Sequence, residues 1–291
     1  MLELAALNEM NEAAFVGALG GVYEKSPWIA ERAFRNKGKI DSITALAEVM
    51  KREVDAASEA EQLDLITSHP DLAGKAALAG KLTAESTDEQ ARAGLGSLTP
   101  EEMERFTRLN GKYREKFGFP FILAVRNASK HIILGAFETR LHNSRNAELA
   151  AAIAQVHKIA WMRIRLLVRH SPRGKLTCHV LDTARGTPAA HMRVTLRRLD
   201  QTSGAWEELL ATHTNSDGRL DGPALAGADM RDGEYEFTFG VGEYFSIAGV
   251  PTAGTPFLRE VPLRFGIDNP EAHYHVPLLC SPWSYSTYRG S

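Results

Sequence analysis

Histidine and arginine, placed where the chain turns or alternates, mark the positions at which this sequence has the means for proton transfer. In "SHPDLAGK", His69 follows a helical run and precedes Pro70, which biases it away from helical geometry. An imidazole at such a corner suits a general acid or base. About twenty residues on, "ESTDEQ" opens another helix, whose first-turn amides favour anions and whose Glu89 and Gln90 suit hydrogen bonds to a polar heterocycle. In "KLTCHVLD" the two-residue period puts Thr177, His179 and Leu181 on one face and Leu176, Cys178 and Val180 on the other. In "HYHVPLL", His273 and His275 share a face. Arg219 follows the Asp217-Gly218 turn of "THTNSDGRLDGP", where it projects at a strand start. Convergence of His179, Arg219 and His275 would supply two imidazoles to activate water and a guanidinium to hold an anionic heterocycle. Plainer readings exist for each residue type. A His-Pro corner ends many helices, a first-turn Glu trims the helix dipole, a strand histidine is often only solvated, and an Asp-Gly-Arg turn is often only a hairpin. Two histidines one residue apart also have the spacing of metal ligands, but no clustered cysteine or carboxylate accompanies them.

These residues lie on elements of two kinds. Residues 1 to about 170 carry helical periodicity. "SPWIAERAF" offers Ser26 as a cap with Pro27 in the first turn. "DSITALAEVMKREV" puts Ile43, Leu46, Ala47 and Met50 on one face, and "LTPEEMERFTRLNGKYREKF" begins with a Thr99 cap, Pro100 and two glutamates. "NAELAAAIAQVHKIAWMRIRLLV" is long, alanine-rich and basic toward its end. Seven or eight helices are expected, forming a bundle. Beyond Ser171-Pro172-Arg173-Gly174 the period becomes two. "KLTCHVLD", "HMRVTLRRLD", "EYEFTFGVGEYF" and "HYHVPLL" read as strands, separated by turns such as Asp217-Gly218 and Asp232-Gly233. Residues 175–291 are therefore expected to form a β-sandwich.

Composition sets outer bounds. Hydrophobic residues make up 44% and charged residues 24% of 291, which is ordinary globular material with room for two domains. With 34 basic and 36 acidic residues the net charge is −2, so no global field recruits nucleic acid, and no basic run suggests a membrane surface. Two cysteines, Cys178 and Cys280, argue against a disulfide framework. The opening residues lack the pattern of a signal peptide, so a cytoplasmic protein is expected, or a peroxisomal one in a eukaryote.

"HPDLAGK", "LTAESTDEQARAGL" and "LNGKYREKFGFPFILAVR", in that order, resemble the 2-oxo-4-hydroxy-4-carboxy-5-ureidoimidazoline (OHCU) decarboxylase family of urate degradation across nearly all of residues 1–170. The resemblance implies an all-α, cofactor-free decarboxylase giving (S)-allantoin. Its catalytic histidine falls on His69 beside Pro70, and its substrate-binding helix start on Ser86, Thr87, Asp88, Glu89 and Gln90, with a catalytic role for Glu89. Its pocket wall falls on Phe121, Ile122, Leu123, Ala124 and Val125, and its basic residue in the last helix on Arg163 or the nearby Arg165. Thr87 and Asp88 stand where some relatives carry basic residues.

"CHVLD", "NSDGR", "HYHVPLL" and the final "YSTYRGS" are similar to the 5-hydroxyisourate hydrolase family, the transthyretin-related enzymes, over 175–291. That likeness implies an all-β transthyretin-like sandwich, a homo-oligomer (dimer or tetramer) with sites at a subunit interface, and functional residues His179, Arg219, His275, Tyr288 and Ser291, with no metal. The chain then carries two consecutive steps, fused in reverse order of the pathway and acting on small molecules. A rival reading keeps one active domain and makes the other a binding or scaffold module, since the same sandwich also serves as a carrier.

Overall fold

The computed structural model describes residues 1–73, 95, 97–125, 128–250 and 254–290. The chain divides into two compact units, Met1–Arg169 and His170–Ser291.

The first unit is helical among its described residues: α1 (Leu4–Glu9), α2 (Glu12–Leu19), α3 (Trp28–Asn36), α4 (Ile43–Asp55), α5 (Glu59–Thr67), α6 (Pro100–Phe117), α7 (Lys130–Arg140) and α8 (Arg145–Leu167). Side-chain caps start most of them. Ser42, Ser129 and Ser144 each accept a backbone N–H, and Ser58 and Thr99 form reciprocal capping boxes with Glu61 and Glu102. Each cap is worth about 1 kcal/mol. On α4, Ile43, Leu46 and Met50 are buried with Val49, while Ala47 is half-buried. The long α8 packs against α4, α5 and α6. Around it Phe106, Tyr113, Phe121 and Phe137 meet edge-to-face or stacked, Phe121 and Phe137 at 3.7 Å between centroids.

The start of α3 departs from the expected cap. Ser26 does not cap it; Pro27, already helical at φ −61°, precedes Trp28, and the Ser26 hydroxyl donates to the Glu24 carbonyl at 2.9 Å. That bond closes a tight turn in which Lys25 has φ +46° and Glu24 is 2% exposed.

The second unit is a sandwich. One sheet runs β2 (Thr187–Pro188), β1 (Lys175–Asp182), β8 (His273–Cys280), β9 (Tyr285–Thr287), with β5 (Leu225–Ala226) also on β1. The other runs β4 (Trp206–His213), β3 (Arg193–Leu199), β6 (Gly233–Phe239), β7 (Val261–Ile267). Inward residues of both sheets, among them Leu176, Val180, Leu196, Phe237 and Leu278, form one core. All pairings are antiparallel except β1 with β8, which places Lys175, Thr177 and His179 opposite His273, His275 and Pro277. "GVGEYF" is not strand: after Gly240 the chain turns into α9 (Val241–Ile247). Val241, Tyr244 and Phe245 are buried there at helical spacing, a period that alternation conceals. The two units are thus predominantly, rather than purely, helix and strand.

Candidate active sites

His69 ends α5. Its backbone N–H donates to the Ile66 carbonyl at 3.1 Å, and its Nδ1 lies 2.9 Å from the Leu65 carbonyl oxygen. A carbonyl only accepts, so Nδ1 carries the proton and Nε2 holds the lone pair. Burial pushes the imidazole below its usual pKa, against the opposing pull of the Leu65 carbonyl and Glu24; Arg163 depresses it further. Downstream, Asp71 pairs with Arg114 at 3.0 Å and the Leu72 carbonyl accepts from Asn110 at 2.9 Å, so the strap after Pro70 is fixed on both sides.

Arg163 is 4% exposed on α8 and pairs with Glu24 at 2.9 Å. Arg165 instead lies over the Trp161 ring, 5.8 Å from its centroid. Of the two candidates, Arg163 is therefore the one in the electrostatic environment of His69. Phe121, Ile122, Leu123, Ala124 and Val125 form an irregular segment between α6 and α7. The Ala124 N–H donates to Gln155 Oε1 at 3.1 Å, and the Ile122 carbonyl accepts from Arg140 Nη1 at 2.6 Å. Arg140 in turn donates through Nε to Glu148, which is fully buried and also held by Asn143 and Tyr113. Ser86, Thr87, Asp88, Glu89 and Gln90 lie outside the described residues.

The second cluster is built on the parallel β1–β8 pair. His179 and Arg219 are joined by an antiparallel bridge, as are His275 and Gly290. An Asn215 side chain that accepts from the N–H groups of Asp217 and Arg219 folds the turn before Arg219. Gly218 has φ +70°, and a Cβ there would sit 2.3 Å from the Val180 carbonyl oxygen, so only glycine lets the turn lie against β1. Both imidazoles are held below their ordinary pKa. For His179 burial is the main cause and Arg219 the next, opposed by the Asp217 carbonyl and carboxylate. For His275 burial leads, followed by the charges of Arg219, His273 and His179. Two imidazoles held below their ordinary pKa beside one guanidinium have the chemistry to accept a proton from water while a cation meets developing negative charge.

β9 and the residues after it flank this cluster. Thr287 donates to the Pro277 carbonyl at 2.8 Å, Gly290 donates to the His275 carbonyl at 2.9 Å, and Arg289 lies over the Tyr274 ring. A Cβ on Gly290 would come within 2.6 Å of His275 Cδ2. Tyr288 is 59% exposed within the single chain; Ser291 lies outside the described residues. Cys178 faces the core, and burial pushes its thiol up to about 12, away from this chemistry.

Sequence reasoning missed Glu24, Thr177 and Gln155. Glu24 sits in "VYEKSP", which has the look of a solvated turn, and nothing local signals its pairing with a residue on α8. Thr177 shares the His179 face, which was a usable signal.

A sequence profile of OHCU decarboxylase matches residues 8–165, and one of the HIUase/transthyretin family matches residues 176–290. The chain is 54% identical over 122 residues to 5-hydroxyisourate hydrolase 2 of Rhizobium meliloti (strain 1021), covering 42% of this chain and 99% of that protein. It is 42% identical over 163 residues to the 2-oxo-4-hydroxy-4-carboxy-5-ureidoimidazoline decarboxylase of Haloferax volcanii, covering 56% of this chain and 94% of that one. The crystal structure of an (S)-allantoin synthase matches along 100% of both chains, with a TM-score of 0.87 and 45% identity.

Proposed function

The chain belongs to the OHCU decarboxylase family through its first unit and to the HIUase/transthyretin family through its second, and from this we propose that it runs two consecutive steps of urate degradation. The second unit hydrolyses 5-hydroxyisourate to OHCU, and the first decarboxylates OHCU to (S)-allantoin. The observation that carries this reading is a histidine held below its ordinary pKa in each unit, built on unrelated elements: His69, buried in the field of the Glu24–Arg163 pair, and His179, bridged to Arg219. We assign the decarboxylase to residues 1–170 and the hydrolase to 175–291.

In the hydrolase, His179 and His275 position a water and take its proton as it attacks the cyclic amide. Arg219 meets the charge that develops on the carbonyl oxygen, and the proton passes to the departing ring nitrogen. We assign Tyr288 to substrate binding and a catalytic role to Ser291. In the decarboxylase, Arg163 holds an anionic group of OHCU, and the C–C bond breaks with its electron pair moving into the ring's own C=N and carbonyl system. A carboxylate bound near His69 favours the imidazolium, which reverses the depression seen in the free site and readies a proton for the ring carbon. We assign Glu89 to binding ring N–H groups, and Ser86, Thr87, Asp88 and Gln90 to substrate binding together with Pro70 and residues 121–125.

Exposed Tyr288, two residues before the Gly290–His275 bridge, supports assembly through the second unit, as a dimer or tetramer with subunit neighbours completing each site. No helix among the described residues is long and apolar enough to cross a membrane. We place the protein in the cytoplasm, or in the peroxisome of a eukaryote.

Freshly generated 5-hydroxyisourate, followed by ultraviolet absorbance and circular dichroism, tests the assignment. His69→Ala is expected to consume 5-hydroxyisourate normally and to lose enzymatic formation of optically active allantoin. His179→Ala is expected to do the opposite when supplied with OHCU. Normal dichroism growth from the His69 variant would remove that residue from the mechanism.

A further inference from the structure

Three groups of the β1–β8 pair meet at one hydroxyl. Thr177 Oγ1 lies 2.9 Å from His275 Nδ1 and 2.9 Å from His273 Nε2, with the Tyr274 carbonyl farther away at 3.4 Å. A threonine hydroxyl has one hydrogen to donate. Given to His273 or to the Tyr274 carbonyl, it leaves Oγ1 to accept from His275, so Nδ1 must carry a proton. The backbone of Thr177 also favours the protonated His275 ring, in keeping with a ring proton drawn toward this residue. His275 Nε2, at the far end of the ring, then holds the lone pair. The two histidines differ in their surroundings. His275 is half-buried, with Arg219 and His179 facing it and Gly290 packed on its Cδ2 edge. His273 is exposed, with Lys175 of β1 as its charged neighbour.

We propose that Thr177 is a relay residue of the hydrolase: it fixes the tautomer of His275 so that Nε2 is the base, and it passes the displaced proton to His273. The inference rests on the hydrolase reading given above. As water attacks, its proton goes to His275 Nε2, the Nδ1 proton goes to Thr177 Oγ1, and the Oγ1 proton goes to His273 Nε2. Positive charge emerges on an exposed ring, where water solvates it, instead of beside Arg219. When the ring amide breaks, His275 Nε2–H protonates the departing nitrogen, and the His273 proton returns through Thr177 to Nδ1. The cycle ends with every group in its starting state, and one water has been added across the amide. Thr177 and His273 need touch no substrate atom; they act through His275.

Substitution in the full-length protein tests this. Thr177→Val keeps the shape and the strand preference and removes the hydroxyl. It is expected to lower kcat for 5-hydroxyisourate by about tenfold to a hundredfold, with KM changed by less than about twofold. Thr177→Ser is expected to restore the rate, and His273→Phe to resemble Thr177→Val. The solvent deuterium isotope effect is expected to show more than one proton in flight in the unmodified protein and one in Thr177→Val. Nitrogen-15 shifts of the unmodified protein are expected to show His275 protonated at Nδ1. Full turnover by Thr177→Val with an unaltered pH profile would overturn the relay, as would failure of Thr177→Ser to recover activity. If Thr177→Val does not fold, a His275 ring protonated at Nε2 in the unmodified protein overturns it independently. His275→Asn separates the two levels: full hydrolysis by that variant refutes the site itself, whereas its inactivity beside a fully active Thr177→Val refutes the relay alone.

Discussion

At the residue scale, the recurring device is an imidazole held below its ordinary pKa chiefly by burial; Arg219 adds to this for His179 and His275, whereas for His69 the Glu24 carboxylate opposes it more than Arg163 supports it. The sign of the resulting pH dependence follows. A base must be neutral to act, so hydrolysis persists as pH falls until it passes below the ordinary histidine value, and is lost only at the depressed pKa values. Arg219→Gln removes one depressing charge, so both imidazoles are expected to titrate at higher pH. Proton NMR titration of the His179 and His275 ring signals checks this, and unchanged midpoints would show that burial alone sets them. The His179, Arg219 and His275 cluster was legible because strand alternation and a turn place each side chain by local rules. Glu24 and the choice of Arg163 over Arg165 were not, because an ion pair between residues 139 apart in sequence has no local signature.

At the element scale, the segment at 121–125 has neither helix nor strand to hold it, and its position depends on side chains from its neighbours. Arg140 lies over Phe121, 4.5 Å from the ring centroid, and grips the Ile122 carbonyl; buried Glu148 holds Arg140. Glu148→Ala leaves that guanidinium without its counter-ion and is expected to cost about 3–5 kcal/mol. Thermal unfolding should show the loss in the helical unit, with decarboxylation impaired and hydrolysis retained. In the sandwich, Gly290→Ala would force its new methyl against His275. Hydrolysis is expected to fall by about tenfold or more while decarboxylation continues, measured as separate rates on each substrate. Capping residues and amphipathic faces made most helices readable, and the Thr99 box is an example. Ser26 and "GVGEYF" misled for a common reason: a hydroxyl before proline and an aromatic alternation each fit two local structures, and tertiary contacts chose between them.

On the scale of the whole molecule, each unit has its own hydrophobic core. Residues 1–169 and 170–291 expressed separately are therefore expected to fold and to retain decarboxylation and hydrolysis respectively. Cooperative unfolding of each piece and its rate on its own substrate would check this. A sandwich that stays monomeric at all concentrations yet hydrolyses at the full rate would refute a site shared between subunits. The change of period near residue 171 made the division visible, but no periodicity could reveal that β1 and β8 lie side by side.

That adjacency has a consequence for the order in which the two activities arise during synthesis. The Thr177–His275 contact spans 98 residues of sequence, and the parallel pair that creates it is among the non-local contacts that form slowly. The helical unit emerges first and contains every described part of its own site, so it can mature while the sandwich is still being translated. A chain released after residue 270 would therefore carry a folded helical unit attached to a sandwich lacking β8 and β9, with the β1 edge left open for a chaperone or for misassembly.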